Sequence, residues 1–175
     1  MRRFVFLLTT IIALSVSTAN AQKKGDMYAG GNIKVTLSTS GSNGYMSTGT
    51  YFSIAPEFAG FIADKVKIGG EISYEVSSKA HVVGIAPNVA YYLPIVEKLY
   101  YTPQLSLGGA FGVYSGYTAG IFTMTLGIGS FEYKPIEKLG VSISLVNMSY
   151  YLIDKTNSLN LNLFSSPTIG FHYYF

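Results

Sequence analysis

The chain has 175 residues and a formal net charge of +3, with 12% charged residues against 49% hydrophobic ones and no cysteine. Charge this sparse excludes a nucleic-acid surface, because the only arginines are Arg2 and Arg3 and no basic cluster follows them. The absence of cysteine excludes a disulfide framework.

Residues 1–21 read as a secretory signal peptide. Met1-Arg2-Arg3 is the positive start, Phe4 to Val16 is the apolar run, and Ala19-Asn20-Ala21 is a small-residue cleavage site before Gln22. The run is short for a membrane-spanning helix, and no later apolar run reaches that length. The remainder, 22–175, has the size of one domain. It is rich in Tyr and Gly and hydrophobic on average. A helix-free, exported chain of this kind points to a closed β-barrel, which satisfies its backbone inside lipid.

Taken in order, the chain alternates with period two, as strands do. In the first strand Met27, Ala29, Gly31, Ile33, Val35 and Leu37 face one side and Tyr28, Gly30, Asn32, Lys34 and Thr36 the other. In the second, Phe52, Ile54, Pro56, Phe58 and Ile62 oppose Ser53, Ala55, Glu57 and Ala59. In the third, Val66, Ile68, Ile72, Tyr74 and Val76 oppose Lys67, Gly69, Glu71, Ser73 and Glu75. In the fourth, Val83, Ile85, Val89, Tyr91 and Leu93 oppose Gly84, Ala86, Asn88 and Ala90. The fifth sets Leu99, Tyr101, Pro103, Leu105, Leu107 and Phe111 against Thr102, Gln104, Ser106, Gly108 and Ala110. The sixth sets Phe122, Met124, Leu126 and Ile128 against Thr123, Thr125, Gly127 and Gly129. The seventh sets Leu139, Val141, Ile143 and Leu145 against Gly140, Ser142 and Ser144. The eighth, 159–175, places Leu159, Leu161, Leu163, Ile169, Phe171, Tyr173 and Phe175 on an oily face. Asn160, Asn162, Phe164, Ser166, Thr168, Gly170, His172 and Tyr174 fall on its mostly polar face.

Two kinds of connection separate these runs. Three are tight and carry an acid followed by Lys: Asp64-Lys65, Glu97-Lys98 and Glu137-Lys138. Four are polar, at 38–49, 77–80, 114–118 and 153–158. Seven connections imply eight strands, an even number with short turns at one end and longer loops at the other, as in outer-membrane barrels. Confidently placed in-strand charges lie opposite the oily faces. A soluble sandwich or lipocalin would show the reverse. The expected fold is therefore an all-β, eight-stranded antiparallel up-and-down transmembrane β-barrel, with the Asp/Glu-Lys turns periplasmic.

Lys34, Glu57, Lys67, Glu71, Glu75, Gln104 and His172 are the candidate lumen residues. Glu57 and Glu71 sit at similar heights on one hairpin and could share a proton as a catalytic pair does. A neutralising network that plugs a narrow barrel is the favoured reading. His172 could act as a base, but no serine and acid fall at a matching height, so a structural role is expected. Two histidines without cysteine make no metal-ligand pattern. Gly127 and Gly129 lie mid-strand and do not open a helix, so a nucleotide-binding loop is excluded. No cofactor is expected. Tyr91, Tyr101, Tyr173 and Phe175 read as an interfacial girdle, as do Tyr45, Tyr51, Tyr114, Tyr117, Tyr150 and Tyr151 at the other rim, where a receptor-binding surface is the alternative.

With its leader, eight-strand count, alternation and terminal Phe175, the chain resembles the small eight-stranded bacterial outer-membrane barrels of the OmpX and OmpA-transmembrane-domain type. The resemblance covers 22–175 and carries no catalytic motif. It implies residence in the outer membrane among its lipids. It also implies that Phe171, Tyr173 and Phe175 form the signal read by the outer-membrane assembly machinery. A peptidoglycan-binding domain after Phe175, as in full-length OmpA, is not expected. The expected role is structural or surface-interacting, with a filled polar lumen and no enzymatic activity. A narrow pore for small solutes and a lipid-modifying enzyme are the alternatives.

Overall fold

The computed structural model describes residues 22–42, 45–77, 80–114, 117–153 and 156–175, with the side chains of 37–42, 45–48, 114, 117 and 165 left out of that description. The expected signal peptide, residues 1–21, lies outside the described residues, as do the loop tips at 43–44, 78–79, 115–116 and 154–155.

Alternation of apolar and polar residues yields strands throughout. They are β1 (Met27–Ser42), β2 (Tyr45–Ala63), β3 (Val66–Ser77), β4 (Ala80–Tyr91), β5 (Leu93–Val96), β6 (Leu99–Tyr101), β7 (Gln104–Tyr114), β8 (Tyr117–Gly127), β9 (Ser130–Ile136), β10 (Leu139–Ile153) and β11 (Thr156–Tyr174). Three are continuations: β5 follows β4 past Tyr92, β7 follows β6 past Thr102-Pro103, and β9 follows β8 past Ile128-Gly129. The eleven segments thus form eight strands. All neighbours are antiparallel, and the ring β1-β2-β3-β4-β7-β8-β10-β11 closes where β11 pairs with β1. Closure removes the sheet edges.

The three acid-Lys connections are tight two-residue turns, flanked by the pairs Ala63↔Val66, Val96↔Leu99 and Ile136↔Leu139. Lys65 and Lys98 take φ of 68° and 67°. Such a left-handed residue lets the strands reverse directly.

At the other end the expected long loop at 38–49 is corrected. Its backbone continues the β1–β2 ladder from Ser38↔Gly49 to Ser42↔Tyr45. Ser, Thr and Gly suggested a loop, but with a partner beside each peptide the ladder persists. The other loop-end connections are equally tight, with the pairs Ser77↔Ala80, Tyr114↔Tyr117 and Ile153↔Thr156 around them.

The burial pattern is inside-out. Phe58, Ile72, Ile85, Phe111 and Leu161 are exposed on the outer wall, whereas Glu57, Lys67, Asn88, Glu132 and His172 are buried within. Facing predicted from alternation holds in β1 to β4 and in β7. It fails at three places, each a local irregularity. At Ile128-Gly129 both backbone N–H groups donate to the Val146 carbonyl, at 3.1 and 3.0 Å. Across from them stand Leu145 and Val146, and the register is the same on both sides, Asn147↔Gly127 and Ser144↔Ser130, so alternation breaks on both strands without an inserted residue. The inward parity switches there, and β9 turns Glu132 inside. A matching register shift between Ser144 and Val146 turns Asn147, Ser149 and Tyr151 to the lumen. In β11, Phe164 takes φ of 57° and is exposed, rather than lying on the polar face.

Candidate functional site

The turn end of the barrel holds a cluster of buried aromatic side chains. Tyr28, Phe61, Tyr92, Tyr100 and Tyr174 are all buried there in one cluster. Phe61 meets Tyr92 edge-on at 5.0 Å and Tyr28 meets Tyr174 at 5.2 Å between ring centroids. Such pairs add to area burial by about 0.5–1.5 kcal/mol. The segment before β1 is tied to this end, with Gly25 N donating to Phe61 O at 2.8 Å and Lys65 N to Gln22 O at 3.0 Å.

On that floor stand two charge clusters. In the first, Lys67 Nζ donates to Glu57 Oε1 at 2.7 Å, to the Tyr28 hydroxyl at 3.0 Å and to Gln104 Oε1 at 3.1 Å. All three ammonium donors are therefore used. Asn88 Nδ2 adds a second donor to Glu57 Oε1 at 2.9 Å. In the second, Glu132 Oε2 accepts from the Tyr92 hydroxyl at 3.0 Å and contacts His172 Nδ1 at 2.9 Å. Glu132 Oε1 accepts from the Tyr174 hydroxyl. Glu132 and Lys67 are only 1% and 2% exposed. Charges buried this far persist only when paired and hydrogen-bonded.

His172 joins the clusters. Its Nε2 lies 3.9 Å from Glu57 Oε2 and has no hydrogen-bond partner among the described residues. Its ring packs on Tyr28 at 4.5 Å between centroids. Two glycines make room. A Cβ at Gly30 would stand 2.7 Å from His172 Cδ2, and one at Gly140 would stand 2.2 Å from Glu132 Oε1.

Above the floor is a cavity of about 360 Å³, lined among others by Lys34, Tyr51, Glu71, Glu75 and Tyr151. Smaller polar pairs line the wall, such as Thr125 with Ser149 at 3.0 Å and Ser130 with Ser144 at 2.9 Å.

Of the residues selected from sequence, Glu57, Lys67, Gln104 and His172 meet in one network. Glu71 is the direct cross-strand partner of Glu57 and, like Glu75 and Lys34, faces the cavity. Tyr51 and Tyr151 also line the cavity and are not girdle residues. Tyr45, Tyr114 and Tyr117 have side chains outside the described set. The expectation that His172 lacks an acid at its height is overturned by Glu132. The break in alternation at Ile128-Gly129 hid Glu132, because simple alternation carried past it fails. The Gly129-Ser130 pair inside a strand was the available signal. On the outer wall Tyr91, Tyr173 and Phe175 are exposed at the turn-end rim, joined by Tyr133, and Tyr101 is half-buried, its hydroxyl donating to Ile128 O at 2.6 Å.

These features define a class by fold: an eight-stranded antiparallel up-and-down β-barrel with an apolar outer wall and a polar interior. No protein-family model matches the sequence, and no curated protein matches it significantly. Solved structures similar to the chain include Neisserial surface protein A, NspA, with 15% identity over 87% of this chain and 100% of that one, at a TM-score of 0.49. The outer membrane protein OprG from Pseudomonas aeruginosa shows 16% identity over 90% and 99%, at 0.43. Ail, the attachment invasion locus protein of Yersinia pestis, shows 11% identity over 88% and 100%, at 0.40. At these identities the likeness concerns chain trace alone.

Proposed function

We propose that the protein is an exported bacterial outer-membrane barrel with a structural or surface-interacting role, that it is not an enzyme, and that it does not conduct. The observation that carries this reading is the closed floor: Tyr28, Tyr92 and Tyr174 pack together and their hydroxyls are engaged by Lys67 and Glu132. A solute entering the polar cavity from the loop end meets that floor and stops.

The apolar outer wall and polar interior support membrane residence, since lipid is the solvent that accepts such a wall. The Glu132–His172 couple has the first half of an acid–base relay. A nucleophile's hydroxyl would have to sit within hydrogen-bond reach of Nε2, and that nitrogen is unpartnered. This favours a structural imidazole. The partners are the surrounding lipids and the assembly machinery, which reads β11 through Phe171, Tyr173 and Phe175.

Two measurements test the reading. The protein refolded into lipid should migrate differently on gels before and after boiling. In planar bilayers it should give no discrete conductance, whereas Tyr28→Ala combined with Tyr92→Ala should open the floor and produce it. Wild-type channels of defined size would overturn the closed-lumen reading in favour of a pore.

A further inference from the structure

His172 is only 5% exposed, yet its Nε2 has no hydrogen-bond partner among the described residues. The other ring nitrogen fixes how that atom acts. Nδ1 lies 2.9 Å from Glu132 Oε2, and a carboxylate oxygen can only accept. Nδ1 therefore carries the proton, and the neutral ring leaves a lone pair on Nε2.

The groups around that lone pair also accept. Glu57 and His172 both pair with Gly30, one from each side, so no side chain stands between them. Glu57 Oε1 accepts from Lys67 and Asn88, and Glu57 Oε2 lies 3.9 Å from Nε2, too far for a hydrogen bond. Glu71 is the cross-strand partner of Glu57. Two residues nearer the loop end, Gly170 stands between Asn32 and Ser142. The place that a Cβ of Gly170 would take is 3.3 Å from Nε2, and closer still to Asn32 Oδ1 and Ser142 Oγ. His172, Glu57, Glu71, Asn32 and Ser142 all line the cavity above the floor.

Charge points the same way. The acids are Glu57, Glu71, Glu75 and Glu132. Against them stand Lys67 on Glu57, Lys34 across Ser53 from Glu75, and Lys134 over the Tyr174 ring at 3.7 Å. With His172 neutral, one negative charge is left over, and among the described residues Glu71 has no cation within 4.0 Å. We propose that this recess binds the head of a small primary ammonium ion entering from the loop end, its three N–H groups shared among His172 Nε2, Glu57 Oε2 and the Glu71 carboxylate. A quaternary ammonium has no N–H to give. Hard metal ions take oxygen ligands, whereas an imidazole nitrogen is central here, and among the described residues no group of three His, Cys, Asp or Glu is placed to hold a metal ion. The cavity of about 360 Å³ leaves room for the body of a short amine. The inference rests on the closed-floor reading above, which makes the cavity a dead end.

The test is nitrogen NMR of the full chain, made with isotope-labelled histidine and refolded into phosphatidylcholine nanodiscs, with insertion shown by the gel-mobility shift. His81 is the only other histidine and serves as the internal reference. Before any addition, His172 Nε2 should give the resonance of an unprotonated ring nitrogen. Methylammonium chloride should shift it saturably, whereas tetramethylammonium chloride and potassium chloride at the same concentration should not. Glu71→Gln should weaken the apparent affinity by about tenfold or more, the loss of one charged hydrogen-bond partner. Glu75→Gln removes an equal charge beside Lys34 and should change the affinity far less. Equal shifts with all three salts would overturn the site, since they would report only a negative interior. A protonated Nε2 that ignores the amine would overturn it in favour of a direct His172–Glu57 ion pair. An unprotonated Nε2 that ignores the amine would overturn it in favour of water. Channels in planar bilayers with the saturable shift intact would defeat the closed floor and spare the site, and a closed barrel without the shift would do the reverse.

Discussion

Glu132 and His172, forty residues apart in the chain, meet at 2.9 Å inside the barrel. Glu132 also receives the hydroxyls of Tyr92 and Tyr174, so β9, β11 and the strand made of β4 and β5 are joined through one carboxylate. Removing the charge while keeping the shape isolates this role. Glu132→Gln should destabilise the folded barrel by about 3–5 kcal/mol, the cost of leaving the remaining members of a buried charged network unmatched. Urea unfolding in lipid vesicles, followed by the gel-mobility shift, reads the loss. An unchanged midpoint would mean that the carboxylate is dispensable and that the aromatic floor stands by packing alone.

The floor also depends on a glycine that makes space for that carboxylate. A Cβ on Gly140 would fall 2.2 Å from Glu132 Oε1, and the carboxylate is held by three partners, so it has little freedom to retreat. Gly140→Ala should therefore cost about 1–3 kcal/mol, as overpacking does. Gly109 is the matched control, because a Cβ there meets nothing within 4 Å on the outer wall. Gly109→Ala should leave the unfolding midpoint nearly where it is or raise it. Equal losses in both variants would point to a backbone effect of glycine instead of a clash.

The barrel was legible from the chain because its physics is local. Period two places Ile72 outside and Glu71 and Ser73 inside without knowledge of any neighbour, and the acid-Lys turns mark where the strands reverse. The site was legible only up to the break in alternation at Ile128-Gly129. Lys67 and Glu57 lie on the two arms of one hairpin, and alternation along each arm puts both inside. Glu132 follows a break in the strand whose hydrogen bonds run to Val146, a residue that local counting does not include. Phe164 is misread for the same reason, since its left-handed backbone depends on how β11 departs from β1. The extended β1–β2 hairpin was hidden because its Ser, Asn and Gly residues favour turns, and a paired neighbour decides the matter.

The outer wall makes the membrane reading testable by a single charge. Ile85 sits mid-strand in β4, paired with Ile72 and Gly109, and is 61% exposed. Lys or Arg on the lipid face near mid-membrane costs on the order of 2–4 kcal/mol. Ile85→Arg should lower stability in vesicles by that amount. Ser73→Lys, which adds the charge to the cavity wall instead, should cost less. A neutral or favourable Ile85→Arg would mean that this face meets water and would sink the transmembrane reading.

The end of β11 separates assembly from stability. Phe175 N donates to Met27 O at 3.0 Å, which fixes the last residue against the start of β1, while the Phe175 ring projects outward 6.1 Å from that of Phe58. Phe171 and Tyr173 project on the same side and are also exposed. The backbone bond survives a side-chain change, so Phe175→Ser should refold into vesicles almost as well as the unaltered chain. In cells the assembled, mobility-shifted form should drop severalfold if, as proposed, the assembly machinery reads that ring. The double variant Phe171→Ser with Tyr173→Ser should deepen that cellular defect more than the vesicle one. If refolding and cellular assembly fall together, the three aromatics act through barrel stability, and β11 carries no separate assembly signal.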